Sequence, residues 1–154
     1  MRTRDDVLWI AAAEVGMKES SAGINRVKYN RAFYGREVSG AAYPWCCAFV
    51  WWVSKQAGFN LHKTASCTAL AAAYKKAGQW VDYGPNPGDI VMFDFTGQKK
   101  ITQHVGIVDR FVGDWVYTIE GNTSLTSNDN GGAVMRRKRN PKLITGACRP
   151  GYNI

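Results

Sequence analysis

Val7, Leu8, Ala11 and Val15 fall on one face of a 3.6-residue period and predict a first helix. Asp5 or Asp6 can cap it, and Gly16 ends it. A second, short helix is expected over 25–34, with Gly35 as its stop. A third is expected over 45–57, stopped by Gly58, and a fourth over 67–77, with Ser66 as cap and Gly78 as stop. Beyond Gly78 the pattern turns to strands. Residues 89–95 are rich in β-branched and aromatic side chains and follow Pro87-Gly88. Residues 104–112 and 115–120 read as two strands joined at Gly113-Asp114 by a two-residue hairpin turn. Further short strands are expected over 133–139 and 143–148, with 128–132 as a loop. Helices first and antiparallel strands second define an α+β class, with N-terminal helices packed on a C-terminal antiparallel sheet.

Composition narrows this picture. A chain of 154 residues, 45% hydrophobic and 21% charged, fits one globular domain spanning 1–154. It can bury about two thirds of its unfolded surface without disulfides or metals. The longest apolar stretch, 44–53, is too short to span a bilayer, so no membrane partner is expected. The charged N-terminus is not followed by an apolar run with a small-residue cleavage site, so no secretory signal is expected. The net charge of +8 favours anionic partners without choosing among them. Cys46, Cys47, Cys67 and Cys148 form no C-x-x-C pair and no zinc-ribbon spacing. They read as reduced thiols, with no metal site.

Cys46 opens the third predicted helix just after Pro44. There the unpaired N–H groups and the positive end of the helix dipole favour thiolate and can receive an oxyanion. A free cysteine taken alone is more often a small buried hydrophobe. Cys47 should turn elsewhere and serve packing. Of the two histidines, His62 lies in a polar stretch between helices, whereas His104 opens a strand and can present its ring as a base. The base needs an orienting partner. Pairing Val112 with Trp115 puts residue 104 opposite about residue 123. His104 then lies near Glu120 and Asn122, which share a face because they are two apart. A one-residue slip of register would weaken this argument.

Trp45-Cys46-x-x-Phe49-Val50, Pro87-Gly-Asp-Ile-Val91, His104-Val-Gly-Ile-Val108 and Glu120-Gly-Asn-Thr-Ser124, in this order and spacing, resemble the cysteine, histidine-dependent amidohydrolase/peptidase (CHAP) family. The stretch 19–35 and the ending 148–152 are also similar. The resemblance implies a papain-like fold and cleavage of a bacterial peptidoglycan amide. That amide lies either in the stem or cross-bridge peptide or between N-acetylmuramic acid and L-alanine. It implies Cys46 as nucleophile, His104 as base and then acid, Glu120 as orienter and Asn122 in the same network. Tyr43 is a candidate second oxyanion donor, and Trp45 a candidate wall of the substrate groove. Cys47 departs from the family, many members of which carry alanine there. Some members bind calcium through an acidic N-terminal loop; the matching stretch 25–30 is basic here, so neither calcium nor any cofactor is expected. Many members are phage lysins, and action at the cell wall after holin-dependent release, or from the virion, is the expected location. Anionic wall polymers are a further expected partner. The sequence does not address oligomeric state.

The rival of a different class is a basic nucleic-acid-binding module. It rests on the net charge and on Arg136-Arg-Lys-Arg139. No recognition helix or RNA motif accompanies that run, so no specific nucleic acid is expected. A metalloprotease is disfavoured by two histidines without H-E-x-x-H spacing.

Overall fold

The computed structural model describes residues 3–152; Met1, Arg2, Asn153 and Ile154, the ends of the expected 1–154 domain, lie outside the described residues. Helix α1 runs Arg4–Ala13. Its cap is Thr3, not Asp5 or Asp6. Thr3 accepts from the Asp6 N–H while the Asp6 carboxylate reaches back to the Thr3 N–H. This capping box is worth about 1 kcal/mol. Helix α2 (Lys28–Tyr34) starts three residues later than the sequence suggests, because Asn25 has a left-handed φ of 59°. Gly35 ends it at φ 72°. Helix α3 (Cys46–Gln56) is buried on nearly every side, as a helix apolar all round should be. Helix α4 (Cys67–Lys76) begins at Ser66, whose hydroxyl accepts from the Ala69 N–H as expected.

Six antiparallel strands follow: β1 (Trp80–Val81), β2 (Ile90–Phe93), β3 (His104–Val112), β4 (Trp115–Thr123), β5 (Ala133–Arg139) and β6 (Ile144–Cys148). Their order in the sheet is β1-β6-β2-β3-β4-β5. The two-residue β1 was not visible in the sequence pattern. Val105, Ile107 and Ile119 join a core with α3 and its neighbours. Val91, Phe93, Val108, Val116 and Ile144 form a second apolar cluster. The sheet is therefore buried on both faces, which explains why β2 reads as an unbroken apolar run. Helices first and an antiparallel sheet second make the chain α+β.

The β3–β4 hairpin turns at Gly113-Asp114 with Val112 opposite Trp115, as the sequence predicts. Arg110 still faces Tyr117, but Val108 faces Thr118, so Asp109 is a surplus residue in the ladder. This bulge shifts the remaining register by one. Side chains alternate strictly between faces, so an unbroken ladder would have put His104 and Glu120 on opposite faces. The bulge brings them to the same face. Asp109 is tied at the bulge by Arg136 of β5, Nε to Oδ2 at 3.0 Å.

Candidate active site

The segment entering α3 is fixed from behind. Asn30 donates through Nδ2 to the Asn25 carbonyl (3.0 Å) and to the Tyr43 carbonyl (2.9 Å). Trp45 stacks on Tyr29 with ring centroids 5.4 Å apart and donates from Nε1 to Glu19 Oε1 at 3.0 Å. Cys46 follows as the first residue of α3. Gly121 of β4 lets α3 approach the sheet. A Cβ there would lie 2.5 Å from the Phe49 Cβ and 2.9 Å from Trp45.

His104, Glu120 and Thr118 form a buried polar cluster closed by Arg139. His104 Nε2 and Glu120 Oε1 are 2.8 Å apart. Arg139 grips the same carboxylate with two donors, Nε to Oε2 at 2.9 Å and Nη2 to Oε1 at 2.5 Å, and Thr118 Oγ1 donates to Oε2 at 2.5 Å. Burial alone would raise the Glu120 pKa, but the bonds from Arg139 and His104 outweigh it and hold the carboxyl at about 2. For His104 burial disfavours the charged ring. Hydrogen bonds with Cys46 and Glu120 reverse this and lift it to about 9. With Nε2 committed to Glu120, Nδ1 is buried without another hydrogen-bond partner and is the nitrogen left for Cys46.

Cys46 does not stand alone. Its Sγ is 3.9 Å from Cys67 Sγ, and Cys47 Sγ is 3.3 Å from the same atom. Cys47 is buried, as a packing residue would be, but its thiol is not turned away. The bond from Cys47 favours Cys46 thiolate; donation to Cys67 and burial outweigh it, so the Cys46 thiol is pushed up. Cys67 accepts from both neighbours and is pushed down to about 4. Cys46 is therefore raised, against the expectation from its place at the start of α3.

Three expected site residues have other duties. Trp45 is fully buried and lines no groove. The Tyr43 ring packs edge-on against Tyr34 and its hydroxyl meets Arg36 at 3.5 Å, which does not support a role as oxyanion donor. Asn122 is buried at a left-handed φ of 59°, and its Oδ1 accepts from the Gly132 N–H at 3.1 Å. It holds the turn before β5 and makes no bond to the His104–Glu120 pair, although its Nδ2 remains unpartnered. The basic run is largely satisfied internally. Arg136 pairs with Asp109, Arg137 bonds Thr123 Oγ1 at 2.7 Å, Lys138 lies 4.4 Å over the Trp115 ring, and Arg139 belongs to the buried cluster. Arg139 and Cys67 were missed by sequence reasoning.

Comparisons with known proteins give the family and the fold. The CHAP domain family model matches residues 38–122, more than half of the chain, so the chain belongs to the CHAP domain family. The fold is similar to that of the wild-type endolysin LysIME-EF1, with a TM-score of 0.61, 15% identity, and coverage of 99% of this chain and 66% of that one. It is also similar to Ly7917, with a TM-score of 0.56 and 17% identity over 96% of this chain and 62% of that one. Ly7917 with the hydrolyzing product of MDP matches at a TM-score of 0.51 and 17% identity, over 96% of this chain and 63% of that one. The chain thus spans a little under two thirds of the length of these structures. No curated protein matches the sequence. The α+β fold is papain-like, as the sequence resemblance implies.

Proposed function

We propose that this chain hydrolyses an amide bond of bacterial peptidoglycan by a thiol mechanism. The bond lies in the stem or cross-bridge peptide, or between N-acetylmuramic acid and L-alanine. The observation that carries the reading is the His104–Glu120 pair, closed at Nε2 and open at Nδ1 beside Cys46. Membership of the CHAP domain family supports it.

In this reading the Cys46 thiolate attacks the amide carbonyl while His104, an imidazolium below about pH 9, carries its proton at Nδ1. Glu120 holds this imidazolium, and Arg139 holds Glu120. The Cys46 backbone N–H at the start of α3 faces the developing oxyanion. His104 then gives its proton to the leaving amine, forming a thioester. Water activated by His104 releases the acid and regenerates the thiol. Asn122, with an unpartnered Nδ2, acts beside this pair by fixing the Gly131-Gly132 turn. The enzyme works at the bacterial wall as a phage-type lysin, with residues 1–154 as its catalytic domain, and its positive charge concentrates it on anionic wall polymers.

The test is digestion of purified peptidoglycan by this protein and by Cys46→Ala, with fragments identified by mass spectrometry. New amine and carboxyl ends from the active protein alone would name the bond. Equal fragments from both proteins, or none from either on walls of several chemotypes, would end the proposal.

A further inference from the structure

Two helix N-termini converge on one point. Cys46 and Cys47 open α3, and Cys67 opens α4. The three Sγ atoms lie within 4.8 Å of one another, with Cys46 at 3.9 Å and Cys47 at 3.3 Å from Cys67. Thiolates around a tetrahedral zinc ion, at about 2.3 Å from the metal, stand about 3.8 Å from each other. The two separations bracket that span, so shifts of about half an ångström would reach it. A disulfide would need only two of these thiols and leave the third unexplained.

We propose that Cys46, Cys47 and Cys67 form a thiolate site for a soft d10 metal ion, zinc being the commonest. The three thiolates are the protein's donors, and a tetrahedral ion held by three protein ligands keeps its fourth position open. Each thiol that ligates gives up its proton, and the paired helix N-termini favour the negative charge that collects on the sulfurs. Cys46 and Cys67 are 6% and 8% exposed, so the site keeps an edge toward solvent for entry. A metal here ties up the Cys46 thiol and holds the protein inactive until a stronger chelator or a change in metal supply releases it. Metal binding stands apart from the hydrolase reading; the inhibition rests on it.

Reduced protein is titrated with Cd(II), whose thiolate bonds give an ultraviolet charge-transfer band, and Zn(II) is measured by competition against a chromophoric chelator. The band should saturate at one metal per chain. Cys47→Ala and Cys67→Ala, checked for folding by circular dichroism, should bind at least ~10-fold more weakly, since even an outer partner of a ligand costs that much. Zn(II) should slow wall digestion reversibly, and each variant, compared with its own rate in chelator, should resist it. A band that fails to saturate, or equal affinity in both variants, would overturn the site. So would loss of two titratable thiols in air without metal uptake, which would mark a disulfide instead. A saturating band in a protein that digests no wall would sink the hydrolase reading and leave the metal site standing.

Discussion

Gly106 stands directly against Glu120: a Cβ on Gly106 would lie 2.7 Å from Glu120 Cγ. The glycine of His104-Val-Gly106 is thus the space that the carboxylate occupies on its way to His104. Nothing else on that face of β3 is small enough to admit it.

Gly106→Ala should therefore displace Glu120 while keeping every reacting group present. A shift near 1 Å in such a pair lowers turnover by about 10²-fold. Overpacking should cost about 1–3 kcal/mol of stability. Steady-state kinetics on soluble wall fragments, alongside denaturant melts, would check this, with the fall in kcat and not in KM. Full activity would mean that Glu120 does not orient the base.

Arg139 is 4% exposed and forks onto a fully buried carboxylate. Arg139→Met strands that charge and should destabilise the protein by about 3–5 kcal/mol. Arg139→Lys should fall in between, because an ammonium cannot make the paired contact. Urea unfolding at neutral pH distinguishes the three proteins. A change of less than 1 kcal/mol in the Met variant would show that the pair contributes little.

Two pH limits follow from the same cluster. Glu120 is held at about 2, below the ordinary 4.5. Its contribution to stability is fully present above 4.5 and is lost as the pH falls toward 2. His104 is raised to about 9 from 6.5, so its contribution is complete below 6.5 and is lost as the pH rises through 9. The imidazolium that protonates the leaving amine disappears over the same alkaline range. Activity should fall with an apparent pKa near 9. Melting curves across pH for wild type and Glu120→Gln would test the acid limb, which the variant should lack. An alkaline activity limit near 6.5 would contradict the pairing.

Thiol reactivity should separate the cysteines. Brief treatment with iodoacetamide should abolish hydrolysis by modifying the cluster at Cys46 or Cys67, while Cys148, buried and pushed up to about 12, stays unmodified. Peptide mapping locates the label. Cys46→Ala should lose at least ~10³-fold in rate. Modification of Cys148 alone accompanying the loss of activity would misassign the nucleophile.

Much of this arrangement was legible in the chain, for stated reasons. The bounds of β3 and the turn at Gly113-Asp114 follow from β-branched runs broken by a turn pair. Cys46 and His104 stood out because each opens an element. Arg139 did not, because it closes a run of cations that looks solvated. Only the alternation of β5, exposed at Arg136 and Lys138 and buried at Arg139, separates it from its neighbours. Cys67 meets Cys46 and Cys47 through the packing of two helices, which no short spacing encodes. Trp45 looked like a groove residue because aromatic type alone does not say which side of a chain is covered. The sequence points to Asp5 or Asp6 rather than the Thr3 cap because Asp6 is the reciprocal half of the capping box and carries part of its signal.

The surplus residue at Asp109 makes the site a matter of parity. Between His104 and Glu120 the chain can gain or lose residues in twos at the turn, and the two side chains remain on one side of the sheet. Removing one residue, Asp109 itself included, sends them to opposite sides with every amino acid of the pair still in place. In this hairpin, an even or odd count is as decisive for chemistry as the identity of the base.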